Sequence, residues 1–426
     1  MCFLLAILLT GVGNAIVGQE KENEITVKAQ VRPRAEYRHG AINPMGETSQ
    51  ASSFIWNRAR LSVGYDNGFV SMGLSVQDVS VWGERQQVES YPYTTGINEA
   101  WAKMYKDGFF GQLGRQQLSY DDERILGTLD WHQAGRWHDA LKLGYENPNN
   151  KLHLILAYNQ EGVKVNAGTG YLYGGQPYKT MQTGWYQFDN KENFTASLLL
   201  MNLGFEAGDV VNGRIDTAKT TYMQTIGANL SYKINEINLY GSAYLQTGKM
   251  RNDKSVSAYM FAAKAQYNIT PKLTATAGLD YLSGQKNDSE DITAFNPLFG
   301  THHKFYGAMD YFYASAYPAL GLVDLYASLT VKPVKKLTLD VAYHNFSTQQ
   351  PVISDNILLD SGKALGSEID FTATYAVRPY VTLQGGFSVM FGTDTFFAVK
   401  GGSKDVAQYW GFLSLNVNPT IFKGKF

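Results

Sequence analysis

Eight short turns share one layout along this chain, and they constrain the fold more than any other feature. In each, an aromatic or β-branched residue closes one segment, three to six polar or Pro/Gly residues follow, and an apolar residue opens the next. They are Tyr65-DNG-Phe69, Tyr105-KDG-Phe109, Tyr145-ENPNNK-Leu152, Phe188-DNKEN-Phe194, Tyr232-KINE-Ile237, Tyr267-NITPK-Leu273, Val331-KPVKK-Leu337 and Tyr375-AVRP-Tyr380. Asp-Gly, Asn-Pro and Thr-Pro supply the turn chemistry. Successive turns lie about 40 residues apart, with one gap nearer 60. That interval holds two strands of about ten residues and one long loop. One end of every hairpin is therefore short and the other long, a sidedness that a soluble β-sandwich has no reason to adopt and an outer-membrane barrel requires.

The segments between turns alternate as strands do. Residues 25–38, ITVKAQVRPRAEYR, place Ile25, Val27, Ala29, Val31, Pro33, Ala35 and Tyr37 on one face. Thr26, Lys28, Gln30, Arg32, Arg34, Glu36 and Arg38 share the other. Strict alternation over this length predicts a strand with one apolar and one polar face. The same pattern recurs at 237–246, 273–281, 337–343, 369–375 and 381–389. Eight turns with both chain ends on the short-turn side imply nine hairpins, hence about 18 strands. The long loops then span roughly 39–53, 78–98, 117–139, 160–182, 204–220, 247–257, 284–322, 345–365 and 392–406, and the last strand covers 407–418. The fold class expected is all-β: a transmembrane antiparallel β-barrel of about 18 strands, with short periplasmic turns and long external loops.

Composition agrees: 42 Gly, 28 Tyr and 22 Phe, with only 18% charged residues, suit a β-chain rich in turns and interfacial aromatics. Past the first residues no apolar run reaches 18, which excludes a helical membrane protein. The opening MCFLLAILLTGVGNA, followed by QEKENE, is read as a signal peptide over residues 1–18, leaving 19–426 as a single barrel domain. The one cysteine, Cys2, lies in that leader, so disulfide and thiol chemistry are not expected. A net charge of −1 points away from nucleic acid.

Charge is nonetheless distributed unevenly. Nine of the twelve arginines fall within the first 136 residues. Arg58 and Arg60, in NRARLSVGY, repeat the spacing of the opening strand. If the first two strands are neighbours, their polar faces stack Lys28, Arg32, Arg34, Arg58 and Arg60 into one basic wall. On the lipid side each arginine would cost about 2–4 kcal/mol near the midplane, so these residues are expected to face a lumen. Such a wall attracts anions and offers donor forks suited to carboxylates. The alternative is an internal ion-pair network, with Glu36, Glu99, Asp280, Asp340, Glu368 and Asp370 as the acids. Both hold together in a narrow lumen.

Residues 114–145, GRQQLSYDDERILGTLDWHQAGRWHDALKLGY, hold Arg115, Asp121, Asp122, Arg124, Trp131, Arg136 and Asp139. This segment resembles the alginate-export family of outer-membrane porins, in which a Gly-Arg-Gln strand leads into a charged loop with Trp, Arg and Asp. HHKFYGAMDYF at 302–312, GLVDLY at 321–326, GSEIDFTATY at 366–375 and YWGFLSLNVNP at 409–419 resemble further parts of that family. The resemblance implies an 18-stranded barrel and an Arg/Lys-rich conduit for an anionic polysaccharide. It carries Arg32, Arg34, Arg58, Arg60, Arg115 and Arg136 over as conduit residues, and Asp122, Asp139, Glu368 and Asp370 as pairing acids.

The acidic runs DDE (121–123) and NDSED (287–291) are expected to be solvated loop tips, without ordered calcium-ligand spacing. The seven histidines show no metal spacing and are taken as loop hydrogen-bonders. Aromatic loops at 91–96, 171–178 and 311–318 are expected to pack at the pore mouth rather than stack on sugars. No serine sits in a recognisable nucleophile elbow, so no catalytic residue is assigned. The expected function is a passive outer-membrane channel for anionic small solutes or an anionic oligo- or polysaccharide, needing no cofactor. Loops 117–139 and 284–322 would narrow it. Its surroundings are the lipid bilayer and lipopolysaccharide of a Gram-negative outer membrane, and the sequence names no periplasmic partner. The alternative is a plugged barrel acting as a surface adhesin or scaffold through its loops.

Overall fold

The computed structural model describes residues 22–85, 95–163, 165, 168–171, 174–207, 210–211, 214–215, 219–251, 253–354, 357–358 and 362–426. The expected leader at 1–18, and most of the aromatic run at 91–96, lie outside them. Eighteen antiparallel strands close into a barrel. In chain order they are β1 (Glu24–Val31, continued by Arg34–His39), β2 (Ser52–Asp66), β3 (Val70–Val81), β4 (Thr95–Lys106), β5 (Phe109–Gln116) and β6 (His138–Glu146). Next come β7 (Asn150–Tyr158), β8 (Thr180–Asp189), β9 (Phe194–Ala207), β10 (Lys219–Ile234), β11 (Ile237–Lys249) and β12 (Ser255–Thr270). The last six are β13 (Leu273–Leu282), β14 (Leu322–Val334), β15 (Leu337–Ser347), β16 (Ala364–Arg378), β17 (Val381–Gly392) and β18 (Gln408–Val417, continued by Thr420–Lys425). All eight short turns fall between the strand pairs that the sequence assigns to them.

The barrel closes where β1 pairs with β18, and the two prolines at this seam explain two departures from the expected strands. Pro33 interrupts the alternating stretch 25–38, and Pro419 interrupts the last strand, which runs on to Lys425 rather than ending at 418. Proline has no N–H to give a ladder. Each one's carbonyl still accepts across the seam, Pro33 O from Leu415 N at 3.1 Å and Pro419 O from Ala29 N at 3.2 Å. The register of Arg34 opposite Ser414 and Val31 opposite Val417 is kept as far as Lys28 opposite Thr420, and a bulge then shifts it by one residue, to Val27 opposite Phe422.

Alternation sorts lipid from lumen. Val31 is 50% and Leu61 49% exposed on the outer face, whereas Arg58 on the inner face is 1% exposed. Outward Phe69, Tyr105, Phe109, Tyr232, Tyr267, Tyr375 and Tyr380 form a girdle beside the short turns. Tyr37, Trp82, Tyr158, Tyr222, Tyr259 and Phe391 form a second one towards the loops. Aromatic side chains gather at both levels because a membrane interface solvates one end of the ring and not the other.

The loop end of the lumen is filled. Segments 117–137 and 283–321 fold inward and meet at a parallel bridge between Leu126 and Phe299. Leu118, Ile125, Leu126, Phe295, Phe299, Tyr306, Met309, Tyr311 and Phe312 bury their side chains against inward wall residues such as Met181, Leu203, Met260 and Phe346. Water would otherwise meet this apolar surface, and its burial is the main force holding both loops inside. Tyr171 and Tyr178 are buried as well, so the described aromatic loop residues pack on the protein. Within the described residues, no helix is long and apolar enough to cross a membrane.

Candidate functional site: a lumen with two charged walls

Register places the arginines before any loop arrives. Gln30 stands opposite Arg60, and Lys28 opposite Ser62. Arg32 and Arg58 exchange backbone hydrogen bonds of 2.8 and 3.3 Å. Lys28, Arg32, Arg34, Arg58 and Arg60 thus share one inner wall. The tip of loop 117–137 then descends onto it. Asp130 accepts from Arg58 at 2.9 Å and from Arg32 at 3.3 Å. Gln133 accepts from Arg32 Nε at 3.0 Å, and Gln30 from Arg58 Nε at 3.0 Å. Arg34 pairs with Glu36 at 2.8 Å, donates to Trp131 O at 2.9 Å and lies 4.1 Å from the Trp131 ring. Trp131 in turn stacks on His303 at 4.0 Å, which ties the two inward loops together.

Most of the basic wall is therefore ion-paired. Arg38 also binds Glu36, at 2.8 Å. Arg115 grips Asp139 with two hydrogen bonds of 2.9 and 3.0 Å and lies 3.5 Å from the Trp137 ring. Among the seven cations expected to line the lumen, three have no carboxylate partner among the described residues. Arg60 donates to Gln77 Oε1 at 2.6 and 2.9 Å. Arg136 donates to Gly300 O at 2.9 Å. Lys28 projects into open space. Burial pulls the Arg136 pKa down to about 10, which leaves it charged at neutral pH. His132 adds nothing to the charge, because burial together with Arg34 and Arg32 lowers its pKa. Arg32 and Arg58 share the one carboxylate of Asp130, so this pair keeps a net positive charge beside Arg60.

The facing acids serve the loops instead. Arg124, on loop 117–137, reaches Asp280 of β13 at 2.7 Å and Asp122 at 2.8 Å. Burial works against its charge, yet Asp280 and Asp122 hold its pKa well above the usual value. Asp324 of β14 binds His344 of β15 at 2.9 Å, and the other ring nitrogen of His344 lies 3.7 Å from Asp370 of β16. Glu368 accepts from the backbone N–H of Met309 at 2.8 Å, and Asp370 from that of Ala308 at 3.4 Å. Gly307, at φ +86°, makes this approach possible, since a Cβ there would sit 2.8 Å from both Glu368 carboxyl oxygens.

Of the four expected pairing acids, Asp122 and Asp139 bind arginines, Arg124 and Arg115. Glu368 and Asp370 do not, because the N–H groups of loop 283–321 and His344 take their oxygens. The run DDE is likewise no solvated tip. Asp121 accepts from Trp185 Nε1 at 3.0 Å and Ser197 Oγ at 2.5 Å, with burial raising its pKa, and Glu123 accepts from Ser119 at 2.8 Å. NDSED is mostly exposed, as expected. No group of three or more potential metal ligands occurs among the described residues.

Three cavities follow the basic side. An inner vestibule of about 410 Å³ is lined by Glu24, Lys28, Ser62, Glu99 and Trp101. It shares Lys28 and Ser62 with a cavity of about 160 Å³ lined by Gln30, Arg58, Arg60 and Asp130. An outer cavity of about 570 Å³ is lined by Gly135, Arg136, Trp137, Gln176, Arg251 and Phe299. Gly135 lines the outer cavity and lies beside Arg60 of the second: a Cβ there would sit 3.8 Å from Arg60 Nη2. Lys28 lines the first two, Arg60 the second, and Arg136 and Arg251 the third. A separate cavity of about 380 Å³ lies on the acid side among Arg124, Lys264, Asp280 and His344.

Asp130, Gln77 and Gly135 belong to this site and are not among the residues expected from the sequence. Parity on β3 would have found Gln77. Nothing local says where a loop residue such as Asp130 points.

The sequence matches a family model described as alginate export over residues 23–408. No curated protein sequence matches it. Solved structures share its fold. OccAB1 of Acinetobacter baumannii superposes with a TM-score of 0.63 at 11% identity, covering 93% of this chain and 97% of that one. OccK1 (OpdK) of Pseudomonas aeruginosa gives 0.59 at 11% identity, covering 93% and 99%. OccAB4 of Acinetobacter baumannii gives 0.61 at 11% identity, covering 95% and 99%.

Proposed function

This chain belongs to the alginate-export family of porin-like outer-membrane channels, and from that premise we propose that it passes anionic solutes along the basic side of its lumen. It lies in the bilayer of the outer membrane and is a channel rather than an enzyme. The observation that carries the proposal is the line of Lys28, Arg60 and Arg136. None of the three has a carboxylate partner among the described residues, and at least one of them lines each cavity between the outer mouth and the periplasmic vestibule.

An anion entering the outer cavity meets Arg136, passes Gly135, and reaches Arg60 and Lys28. Fixed positive charge in a narrow, partly dehydrated passage raises the local concentration of anions. The paired arginines, Arg32, Arg34, Arg58 and Arg115, hold the wall in shape and bind the loop tip. The gradient of the solute supplies the driving force, so no cofactor is required. The cavity at Arg60 takes one acidic group at a time. It suits a small anion, or an acidic oligo- or polysaccharide threaded end-on. One similar structure, OpdK, is described with vanillate, itself a carboxylate. Lipopolysaccharide of the outer leaflet surrounds the loop end.

Proteoliposome swelling tests this with two sugars of matched size, galacturonate and galactose. Faster entry of the acid is expected. Equal rates would remove the role of the basic line. Absence of entry for both would favour the plugged scaffold, for which the apolar packing of the inward loops speaks.

A further inference from the structure

The periplasmic rim is uneven in charge. Five of its eight turns, from β2–β3 round to β10–β11, carry at least one carboxylate each: Asp66, Asp107, Glu146, Asp189 and Glu236. The other three carry Lys272, Lys332, Lys335, Lys336 and Arg378, with no Asp or Glu in 270–273, 331–337 or 375–381. These three turns are contiguous, since β13 pairs with β14 and β15 with β16. Backbone bonds stitch them: Lys332 N donates to Lys272 O at 2.8 Å, and Ala376 N to Lys336 O at 2.8 Å.

All five cations are exposed. None has a carboxylate partner among the described residues. Lys336 Nζ and Arg378 Nη1 both turn to Val377 O, at 3.2 and 3.1 Å. Five like charges on three adjoining turns repel one another unless anions come between them. Directly below, Tyr267, Val334, Tyr375 and Tyr380 are exposed on the lipid face. Turns this short keep their side chains close to the membrane plane. The cations therefore stand at the height of lipid headgroups, above an aromatic belt that marks the interface.

We infer that this third of the rim is a binding site for anionic phospholipid of the periplasmic leaflet. Headgroup phosphates are taken by Lys335, Lys336 and Arg378 at the turns, with acyl chains lying along Val334 and Tyr380. Clustered cations beside a membrane-embedded surface select anionic headgroups in this way. An acidic protein domain would meet the same charges, but it gains nothing from the apolar residues beneath them.

The test uses the full barrel in nanodiscs of phosphatidylcholine with a minor share of cardiolipin, read by native mass spectrometry of the lipid retained. Wild type is expected to hold cardiolipin several-fold above its bulk share. Combined Lys332→Gln, Lys335→Gln and Lys336→Gln should abolish that enrichment. Combined Lys106→Gln, Lys191→Gln and Lys233→Gln, which removes three cations from other turns, should leave it in place. Heat-modifiable migration in SDS gels verifies that each variant is folded. No enrichment in wild type, or equal loss in both variants, would overturn the inference. Displacement of cardiolipin by excess inorganic phosphate would overturn it too, because a free phosphate would then suffice.

Discussion

The two charged walls of this lumen are built alike and used differently. On both, alternation along neighbouring strands stacks ionisable residues inward. The basic wall of β1 and β2 meets the tip of loop 117–137 at Arg32, Arg34 and Arg58, while Lys28 and Arg60 have no carboxylate partner among the described residues. The acid wall of β13 to β16 faces the inward loops, and its carboxylates are taken up by Arg124, by His344 and by the backbone of 307–309. One wall keeps charge that the proposed passage of anions would use, while the other anchors the inward loops. A count of inward charges alone would give both walls the same role. What separates them is how much of their charge a partner takes up.

Breaking the anchor should have the largest effect. Arg124→Ala leaves Asp280 buried without a partner, at a cost of about 3–5 kcal/mol. Urea unfolding in micelles should show that loss. An unchanged midpoint would mean that apolar packing, not the ion pair, fixes loop 117–137. On the basic wall, Arg60→Ala should hardly affect unfolding, by under about 1.5 kcal/mol for the released Gln77. It should lower the anion-to-cation permeability ratio roughly fivefold, the equivalent of about 1 kcal/mol between water-exposed charges. Asp130→Asn should shift the same ratio the opposite way, because the carboxylate that pairs Arg32 and Arg58 is lost; a ratio that falls would make Asp130 part of the selectivity device. The smallest change is expected for Glu368→Gln. The amide oxygen still accepts from Met309 N, so stability should move by less than about 1 kcal/mol and selectivity should stay constant. A large selectivity change there would erase the distinction between the walls.

Barrel and turns were open to reading because their signals are local. Residue i and residue i+2 share a face, and Asp-Gly or Asn-Pro breaks a strand wherever it stands. Eight turns and the inward parity of Arg58 and Arg60 follow from that alone. The pairing of charges is not local. Arg32 meets Asp130, and Arg124 meets Asp280, across about 100 to 150 residues of chain. No periodicity encodes such a contact, so Glu368 and Asp370 were expected to face arginines that other acids already hold. DDE looked solvated for the same reason: in isolation it is a polar run in a loop, and only the apolar residues around it, Leu118, Ile125 and Leu126, pull the loop inside. Pro33 was visible in the sequence, but its effect depended on the second proline, Pro419, across the seam.

The most direct measurement is the reversal potential of single channels in a planar bilayer under a salt gradient, for wild type and for Arg60→Ala combined with Arg136→Ala. An anion-selective potential in wild type that moves towards zero in the variant, at unchanged unfolding midpoint, is the predicted result. A cation-selective or zero potential in wild type, or the same anion selectivity in both proteins, would contradict conduction past the unpaired cations.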